Sequence, residues 1–573
     1  MSTVHVFVGQ CGNQVGTEFL DTIASEAQAS TDEAFQMRVS ATHFRPALRV
    51  PRRRKQQQPR HTNTSFARGN DSVTACAQTS SFEHARRTGP QQYYSFSRYA
   101  QTADADAAAV DVDVEAMDAS LPQPRCVLVD MEPKVIHSTL QRANTHETHD
   151  SAVAAPSRRF YTLAPQQCVT RGEGSGNNWA FGYYQQGQSR REAIAECLRR
   201  ESEQQDTTVS TFHVLHSIAG GTGSGVSCLV AEEIKTMFPT ATLLHSVVWP
   251  FQSGEVVTQW YNVLMAVSTL GDLADGVCIA YNDVVAEELK SSLANRGLTD
   301  AGEVSFPLIN RRMSEMLAPL HLPQLLYATP SPLKDASKHR IARSGGPTSD
   351  RWITRVTGSV VDGTAPCRYA TSNDIVEALT VDPAMRFFTG VTAPRLVTGS
   401  STWTSVLGEA VRTTEHTFTS TNAFHTFQGA ATAVTGALTP SLDAAAFYLQ
   451  SRSCLWSLRG RCASTDGIRE LRHLMATHVS GGATPFPLTS LFVSLCEEWR
   501  ATPSGPTLPD HSVTLYGPTP MIGETFAEAA RKAEELLNVG AFVHHFERYG
   551  VSKDELRDAA AVLWDTAAAY GGQ

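Results

Sequence analysis

Four glycines, one threonine and one serine fill the six positions from Gly220 to Gly225, inside the stretch AGGTGSGVS. Glycine in that number costs conformational entropy on folding, and what it offers in return is bare backbone whose N–H groups can close around an anion. A lysine-bearing phosphate loop needs Lys straight after its last glycine, but Val226 follows Gly225. A dinucleotide turn built on Gly221 and Gly223 needs a third glycine where Val226 stands. Two readings remain: phosphates held by main-chain amides without a lysine, or a glycine turn that packs closely on another element.

Three more turns carry chemistry of the same kind. GQCGNQ (Gly9 to Gln14) is a second glycine turn. DMEP (Asp130 to Pro133) sets two carboxylates at the end of an apolar run. Beside a bare triphosphate they would repel it, so they make sense there only through Mg²⁺. Equally, Pro133 with acids before it is an ordinary helix start. GSGNNWA (Gly174 to Ala180) adds a polar turn.

The elements around these turns repeat one order. Residues 3–8 (TVHVFV) read as a strand, followed by a glycine turn and a helix in which Val15, Phe19 and Ile23 share a face. VSTFHVLHSI (Val209 to Ile218) reads as a buried strand, and the helix after the glycines stops before Pro239. This alternation continues to about residue 320 and predicts a mostly parallel sheet covered by helices, with the turns converging on one sheet edge.

The chain has 573 residues, 41% of them apolar, and a net charge of −9. That length suits two to four domains, and the charge excludes a general attraction to nucleic acid or acidic membranes. No apolar run reaches membrane-span length, and MSTVHVFVGQ lacks a signal-peptide layout. The eleven cysteines show no zinc-like spacing, so reduced cytosolic thiols are expected. Residues 30–120, with PRRRKQQQPR and an Asp/Ala-rich stretch, read as a long, largely disordered surface insertion. Residues 330–365 read as a loop and 365–510 as an α+β mixture. The end is helical, with Ser552 and Glu555 at capping-box spacing.

GQCGNQ, DMEP, GSGNNWA and GGTGSG stand in the order and surroundings of the nucleotide loops of tubulins, and the resemblance continues through VVWPFQSGEVVTQWYN, AYNDVV and FPLIN. Within that family the delta branch is the most similar, with the gamma and epsilon branches next. The resemblance implies a Rossmann-like, parallel-sheet GTP-binding domain over 1–320, an intermediate α+β domain over 321–515 and a C-terminal helical segment over 516–573. It implies a GTP site in which Gln10, Cys11 and Gln14 approach the phosphates and ribose, while Asp130 and Glu132 face Mg²⁺. Asn177 lies on the γ-phosphate side. Ser217, Gly220, Gly221, Thr222, Gly223, Ser224 and Gly225 cradle the phosphates. Gln259 takes a ribose-side place, Asn282 and Asn310 read guanine, and Phe306 stacks on the base. An amide can both donate to and accept from a guanine edge, which suits the two asparagines.

Hydrolysis in this family depends on an acid supplied by the next subunit. The resemblance puts Asp374 at that place with Glu377 one turn away; a solvated helix-start acid is the alternative. The implied setting is cytoplasmic and cytoskeletal, at centrioles and basal bodies. The implied partners are other tubulins or microtubules and centriole or basal-body proteins, with no membrane or nucleic acid. Three features depart from the family pattern: Ala219 in place of a glycine, Gly254 near a usual ribose-side aspartate, and the length of the insertion. A GTP-regulated adaptor that never joins a lattice is the competing expectation.

Overall fold

In the computed structural model the described residues are 2–46, 121–144, 160–203, 208–254, 256–294, 304–327, 366–380, 384–394, 401–419, 454–480, 490–494 and 509–571. The first strand, β1 (Ser2–Val8), is buried along its whole length, as a central parallel strand must be. Val4, Val6 and Val8 pack on one side, and Phe7 packs on the other.

Further strands are β2 (Phe44–Arg45), β3 (Gln123–Pro124), β4 (Cys126–Val129), β5 (Cys168–Val169), β6 (Val209–Ser217), β7 (Thr242–Trp249) and β8 (Gly276–Tyr281). After them come β9 (Gln324–Tyr327), β10 (Pro366–Tyr369), β11 (Phe387–Ala393), β12 (Leu455–Gly460), β13 (Ser490–Ser494) and β14 (His511–Gly517). All but the β2–β3 pair join one sheet in the order β10-β9-β13-β12-β14-β11-β8-β7-β6-β1-β4-β5. The stretch from β5 to β11 is parallel throughout, so these strands present their C-terminal ends to one rim. Beyond β11 most pairings turn antiparallel, yet the sheet runs on unbroken past residue 320. From β1 the chain steps outward to β4 and β5 on one side and to β6, β7 and β8 on the other. The direction of travel therefore reverses between β1 and β6, and open α/β sheets bind ligands in that crevice.

Helices cover both faces. They include α1 (Gly9–Ala29), α2 (Glu33–His43), α3 (Pro133–Asn144), α4 (Gln188–Glu203), α5 (Ser227–Met237), α6 (Gln259–Leu273), α7 (Asn282–Ala294) and α8 (Phe306–Leu317). The later ones are α9 (Ser372–Leu379), α10 (Trp403–Thr419), α11 (Ile468–Ser480), α12 (Pro520–Asn538), α13 (Val543–Glu547) and α14 (Lys553–Ala569). Val15, Phe19 and Ile23 form the buried face of α1, as their spacing predicts. Ser552 caps α14 by accepting from the Glu555 N–H at 3.2 Å, and the Glu555 carboxylate accepts in return from the Ser552 N–H at 2.7 Å. Among the described residues no helix is long and apolar enough to cross a membrane.

Two local expectations need correction. GQCGNQ is not a free turn, because helix α1 already starts at Gly9. The expected insertion does not begin at residue 30, because residues 33–45 form α2 and β2. Asp32 caps α2 by accepting from Ala34 and Phe35, and Phe35, Val39 and His43 recur every fourth residue on its buried face. Residues 47–120, with the basic and Asp/Ala-rich runs, lie outside the described residues, as does all of 330–365.

A belt of buried imidazoles crosses the middle of the sheet. His5 on β1 stands in register with His213 on β6. His5 Nδ1 and His213 Nδ1 are 3.0 Å apart, and His5 Nε2 lies 3.0 Å from His43 Nδ1. The chain ends at one side where His43 Nε2 lies 2.9 Å from the His321 carbonyl, and at the other where His213 Nε2 lies 2.8 Å from Ser246 Oγ. A carbonyl only accepts, so in the neutral state His43 carries its proton on Nε2 and accepts at Nδ1. It follows that His5 donates from Nε2, His213 donates from Nδ1 and the Ser246 hydroxyl donates to His213. One carbonyl thus fixes three tautomers. Burial lowers the pKa of all three imidazoles, to about 4 for His43 and about 3 for His213.

Candidate nucleotide site at the β1–β6 crevice

β1 delivers the chain to Gly9, whose φ of +75° is a conformation glycine adopts without strain. A Cβ placed on Gly9 would stand 3.0 Å from the Gly223 backbone nitrogen, and one on Gly223 would stand 2.4 Å from the Ser217 carbonyl. The two glycine segments, more than 200 residues apart, are therefore in backbone contact at the crevice. Each begins a helical segment: α1 at Gly9, and a π-helical turn over Thr222–Val226 that leads into α5. Neither start has a side-chain cap. Their first N–H groups, at the positive ends of two helix dipoles, are positioned to take an anion.

Asn13, inside the first motif, holds this corner. Its Nδ2 donates to the Gly9 carbonyl (2.9 Å) and to the Val129 carbonyl (3.2 Å), tying the start of α1 to the end of β4. Val129 precedes Asp130. The Asp130 Oδ1 accepts from the Glu132 N–H at 3.3 Å, while its Oδ2 is buried without a hydrogen-bond partner. Burial, together with the neighbouring Glu132 charge, pushes the Asp130 pKa up to about 7. An orphaned buried carboxylate oxygen beside a phosphate-type turn is a fit for a divalent cation. Pro133 does begin α3, so the acids occupy a helix start as well. Glu132 reaches further, since a Cβ on Gly174 would overlap its Oε1. Among the described residues no trio of His, Cys, Asp or Glu could enclose a metal, so a cation here would draw its other ligands from phosphate and water.

The turn at Gly174–Asn178 lies against the glycine loop. Ser175 Oγ and Thr222 Oγ1 are 2.7 Å apart. Asn177 has a φ of +51°, its side chain is exposed, and its Oδ1 would lie 3.6 Å from a Cβ on Gly220. Two residues of the α6 entry hold its carbonyl: Thr258 Oγ1 at 2.6 Å and Asn262 Nδ2 at 3.0 Å. Within the loop, Ser217 Oγ accepts from the Ala219 N–H at 3.2 Å, and Ser224 Oγ donates to the Gly220 carbonyl at 2.5 Å. Ala219 does not have a positive φ, so no glycine is required there, and its methyl group is buried.

The remaining expected residues lie along the same rim. Gln10 and Gln14 are exposed on the first turns of α1, and Cys11 is half-buried beside them. Asn282, 8% exposed, begins α7 directly after β8. Phe306 opens α8 at 64% exposure, with the Phe251 ring edge-on at 6.4 Å, and Asn310 follows one turn later. Helix α8 lies on α1, where Ser314 Oγ donates to the Val15 carbonyl at 3.4 Å. Gln259 is turned inward at 1% exposure, its Oε1 accepting from the Val256 N–H at 3.4 Å. It therefore closes the α6 entry turn.

The acid expected at Asp374 is corrected by the geometry. Its Oδ2 accepts from Arg368 Nη1 (2.7 Å), the Thr371 N–H (2.7 Å) and Thr371 Oγ1 (2.8 Å), while Oδ1 pairs with Arg368 Nη2. The carboxylate is buried and committed to starting α9, so it cannot orient a water. Glu377, one turn on, is exposed and accepts from Asn373 Nδ2 at 2.8 Å. Sequence reasoning missed Asn13 and Asn262 as organisers. Both lie inside stretches already singled out, Asn13 in GQCGNQ and Asn262 at the end of VVWPFQSGEVVTQWYN.

Residues 2–290 match the family model "Tubulin/FtsZ family, GTPase domain". The chain is similar to the tubulin delta chain of Macaca fascicularis, at 32% identity over 226 residues, covering 39% of this chain and 46% of that one. It is similar to the tubulin delta chain of Canis lupus familiaris at 33% identity over 199 residues, covering 35% and 40%. It is also similar to that of Homo sapiens at 30% over 226 residues, covering 39% and 46%. The match thus spans less than half the length of these relatives.

Proposed function

Since the chain belongs to the tubulin/FtsZ family, we propose that it binds Mg²⁺–GTP across the β1–β6 crevice and serves as a cytoskeletal protein of the delta-tubulin kind. The observation that carries this reading is the backbone contact of Gly9 with Gly223, between two uncapped helical starts and beside the orphaned Asp130 oxygen. The phosphates lie on the N–H groups of Gly9–Gln14 and Gly220–Gly225. Asp130 and Glu132 hold Mg²⁺, which offsets the phosphate charge. Asn282 and Asn310 read the guanine edge, and the open face of Phe306 receives the ring.

Turnover belongs to an assembly. Glu377 is the exposed acid that would orient water against the nucleotide of a neighbouring subunit. A monomer then binds GTP with little hydrolysis. The partners of this reading are other tubulins, microtubules and centriole or basal-body proteins, in the cytoplasm and cytoskeleton. A second reading is supported by the long segment between α2 and β3, which has the length to obstruct lateral contacts. There the protein is a GTP-regulated adaptor that stays outside any lattice. A gamma- or epsilon-type role is the remaining variant.

Competition between GTP and ATP for the full chain tests the site. The two asparagines predict that GTP binds about tenfold more tightly or better, one good discriminating contact being worth about 1.4 kcal/mol. Equal affinities would refute the base-reading assignment. Co-sedimentation with microtubules distinguishes the lattice protein from the adaptor.

A further inference from the structure

Asn262 lies in the first full turn of α6 and is completely buried. Its side chain makes three hydrogen bonds, all to main chain. Oδ1 accepts from the Trp179 N–H at 2.8 Å, and Nδ2 donates to the Ala219 carbonyl at 2.7 Å and to the Asn177 carbonyl at 3.0 Å. The partners fix the orientation of the amide, because the N–H of Trp179 can meet only oxygen and the two carbonyls can meet only NH₂. Both amide protons are used. No other residue type places one acceptor and two donors on so short a stem.

The three partners belong to different walls of the crevice. Ala219 opens the glycine loop. Asn177 and Trp179 bracket the tip of the neighbouring turn and the helical turn that follows it. Asn177 is also in a left-handed conformation, which asparagine adopts more readily than other non-glycine residues and which its two carbonyl bonds hold in place. Thr258, one turn earlier, donates to the same Asn177 carbonyl. The Ser175–Thr222 contact joins the two walls at their polar faces, whereas Asn262 joins them from behind.

We propose that Asn262 is a positioning residue for the terminal phosphate: by clamping Asn177 to the glycine loop it sets the width of the pocket between them. This deepens the GTP reading above and rests on it. Asn262 never touches nucleotide. Its loss frees the Asn177 carbonyl and lets Asn177 withdraw from the γ-phosphate, while the contacts of Gly9–Gln14 and of the base remain.

The test is calorimetric titration of the full chain with GTP and with GDP, each in excess Mg²⁺. Asn262→Ala should weaken GTP about tenfold and GDP less than about threefold, as expected when a positioned charge-assisted hydrogen bond is lost. Thr258→Val removes one of the two bonds to the Asn177 carbonyl and spares the Trp179 and Ala219 contacts. It should lower the GTP-to-GDP preference in the same direction by about threefold. Equal losses for both nucleotides, or an unchanged preference in either folded variant, overturn the proposal. Should Asn262→Ala fail to fold, Thr258→Val alone decides. A wild-type chain that binds neither nucleotide refutes the GTP reading instead.

Discussion

β1 and β6 carry two polar regions, one at mid-strand and one at the C-terminal ends, and the two treat their polar atoms in opposite ways. At mid-strand, His5 and His213 spend their ring nitrogens on one another, on His43 and on Ser246, in a chain whose polarity a single carbonyl fixes. At the rim, Asp130 Oδ2 and Asn13 Oδ1 are buried without partners, and two helical starts lack side-chain caps. Unsatisfied polar atoms cost stability, and at this edge two of them stand beside two uncapped helical starts. The chain from the His321 carbonyl to Ser246 leaves no ring nitrogen of His43, His5 or His213 unpaired, whereas the rim atoms are positioned to take a partner from outside. A folded chain can tolerate such a deficit where a ligand removes it.

Acid should separate the two regions most sharply. The belt imidazoles, together with His216, His245 and His321, are buried with lowered pKa values, about 4 for His43 and His216 and about 3 for His213. Desolvation is the main cause in every case, and the positive charges of Arg125 near His43 and of Lys235 near His245 act in the same direction. These groups are neutral when folded and take up protons when unfolded below about pH 6.5. Their contribution is therefore fully present above that pH and is lost as pH falls through the window down to about 4. Each contributes about 1.4 kcal/mol per pH unit inside the window. Urea unfolding at pH 7.5 and pH 5 should differ by several kcal/mol, and equal midpoints would mean that the belt is hydrated or already charged.

A substitution inside the belt should cost stability and leave nucleotide affinity alone. His5→Leu leaves the His213 N–H and the His43 Nδ1 unpaired, for a loss of about 2–4 kcal/mol in denaturant unfolding. Its GTP affinity, measured where the variant is folded, should match wild type. A comparable loss of affinity would mean that belt and rim are not separable.

The smallest and most diagnostic effect lies at the rim. Asp130→Asn removes a buried carboxylate whose oxygen has no partner. The melting temperature should therefore not fall, while the Mg²⁺-dependent part of GTP affinity drops about tenfold. A destabilised variant with unchanged Mg²⁺ dependence would assign Asp130 to the fold alone.

The same contrast explains what was legible in the sequence. Rim residues advertise themselves, because glycine clusters, paired acids and Asn-rich turns are local and each stands at the end of an apolar run. That is enough to order β1, β4, β6 and β8 along one edge. The parallel sheet, the α1 face and the α14 cap follow from local periodicity as well. The belt was illegible because strand register pairs His5 with His213, and the packing of α2 and of the turn at His321 against the sheet brings in His43 and His321; no local pattern encodes either. Asn262 in WYNVL looks like any polar residue near a helix start, and its meaning comes from carbonyls some 40 and 85 residues away. Helix α2 carries the spacing of Phe35, Val39 and His43, but the biased composition that follows it draws these residues into the expected insertion. The resemblance alone points to Asp374, and nothing local to its helix shows the pairing with Arg368, which precedes the helix.

The central claim is that main-chain amides at the β1–β6 crevice hold a guanine nucleotide. Full-length protein purified in Mg²⁺ buffer, denatured and analysed by ion-exchange chromatography, should release GTP or GDP in amounts comparable to the protein itself. Protein that yields no purine nucleotide, and takes up none on incubation with GTP, contradicts the account.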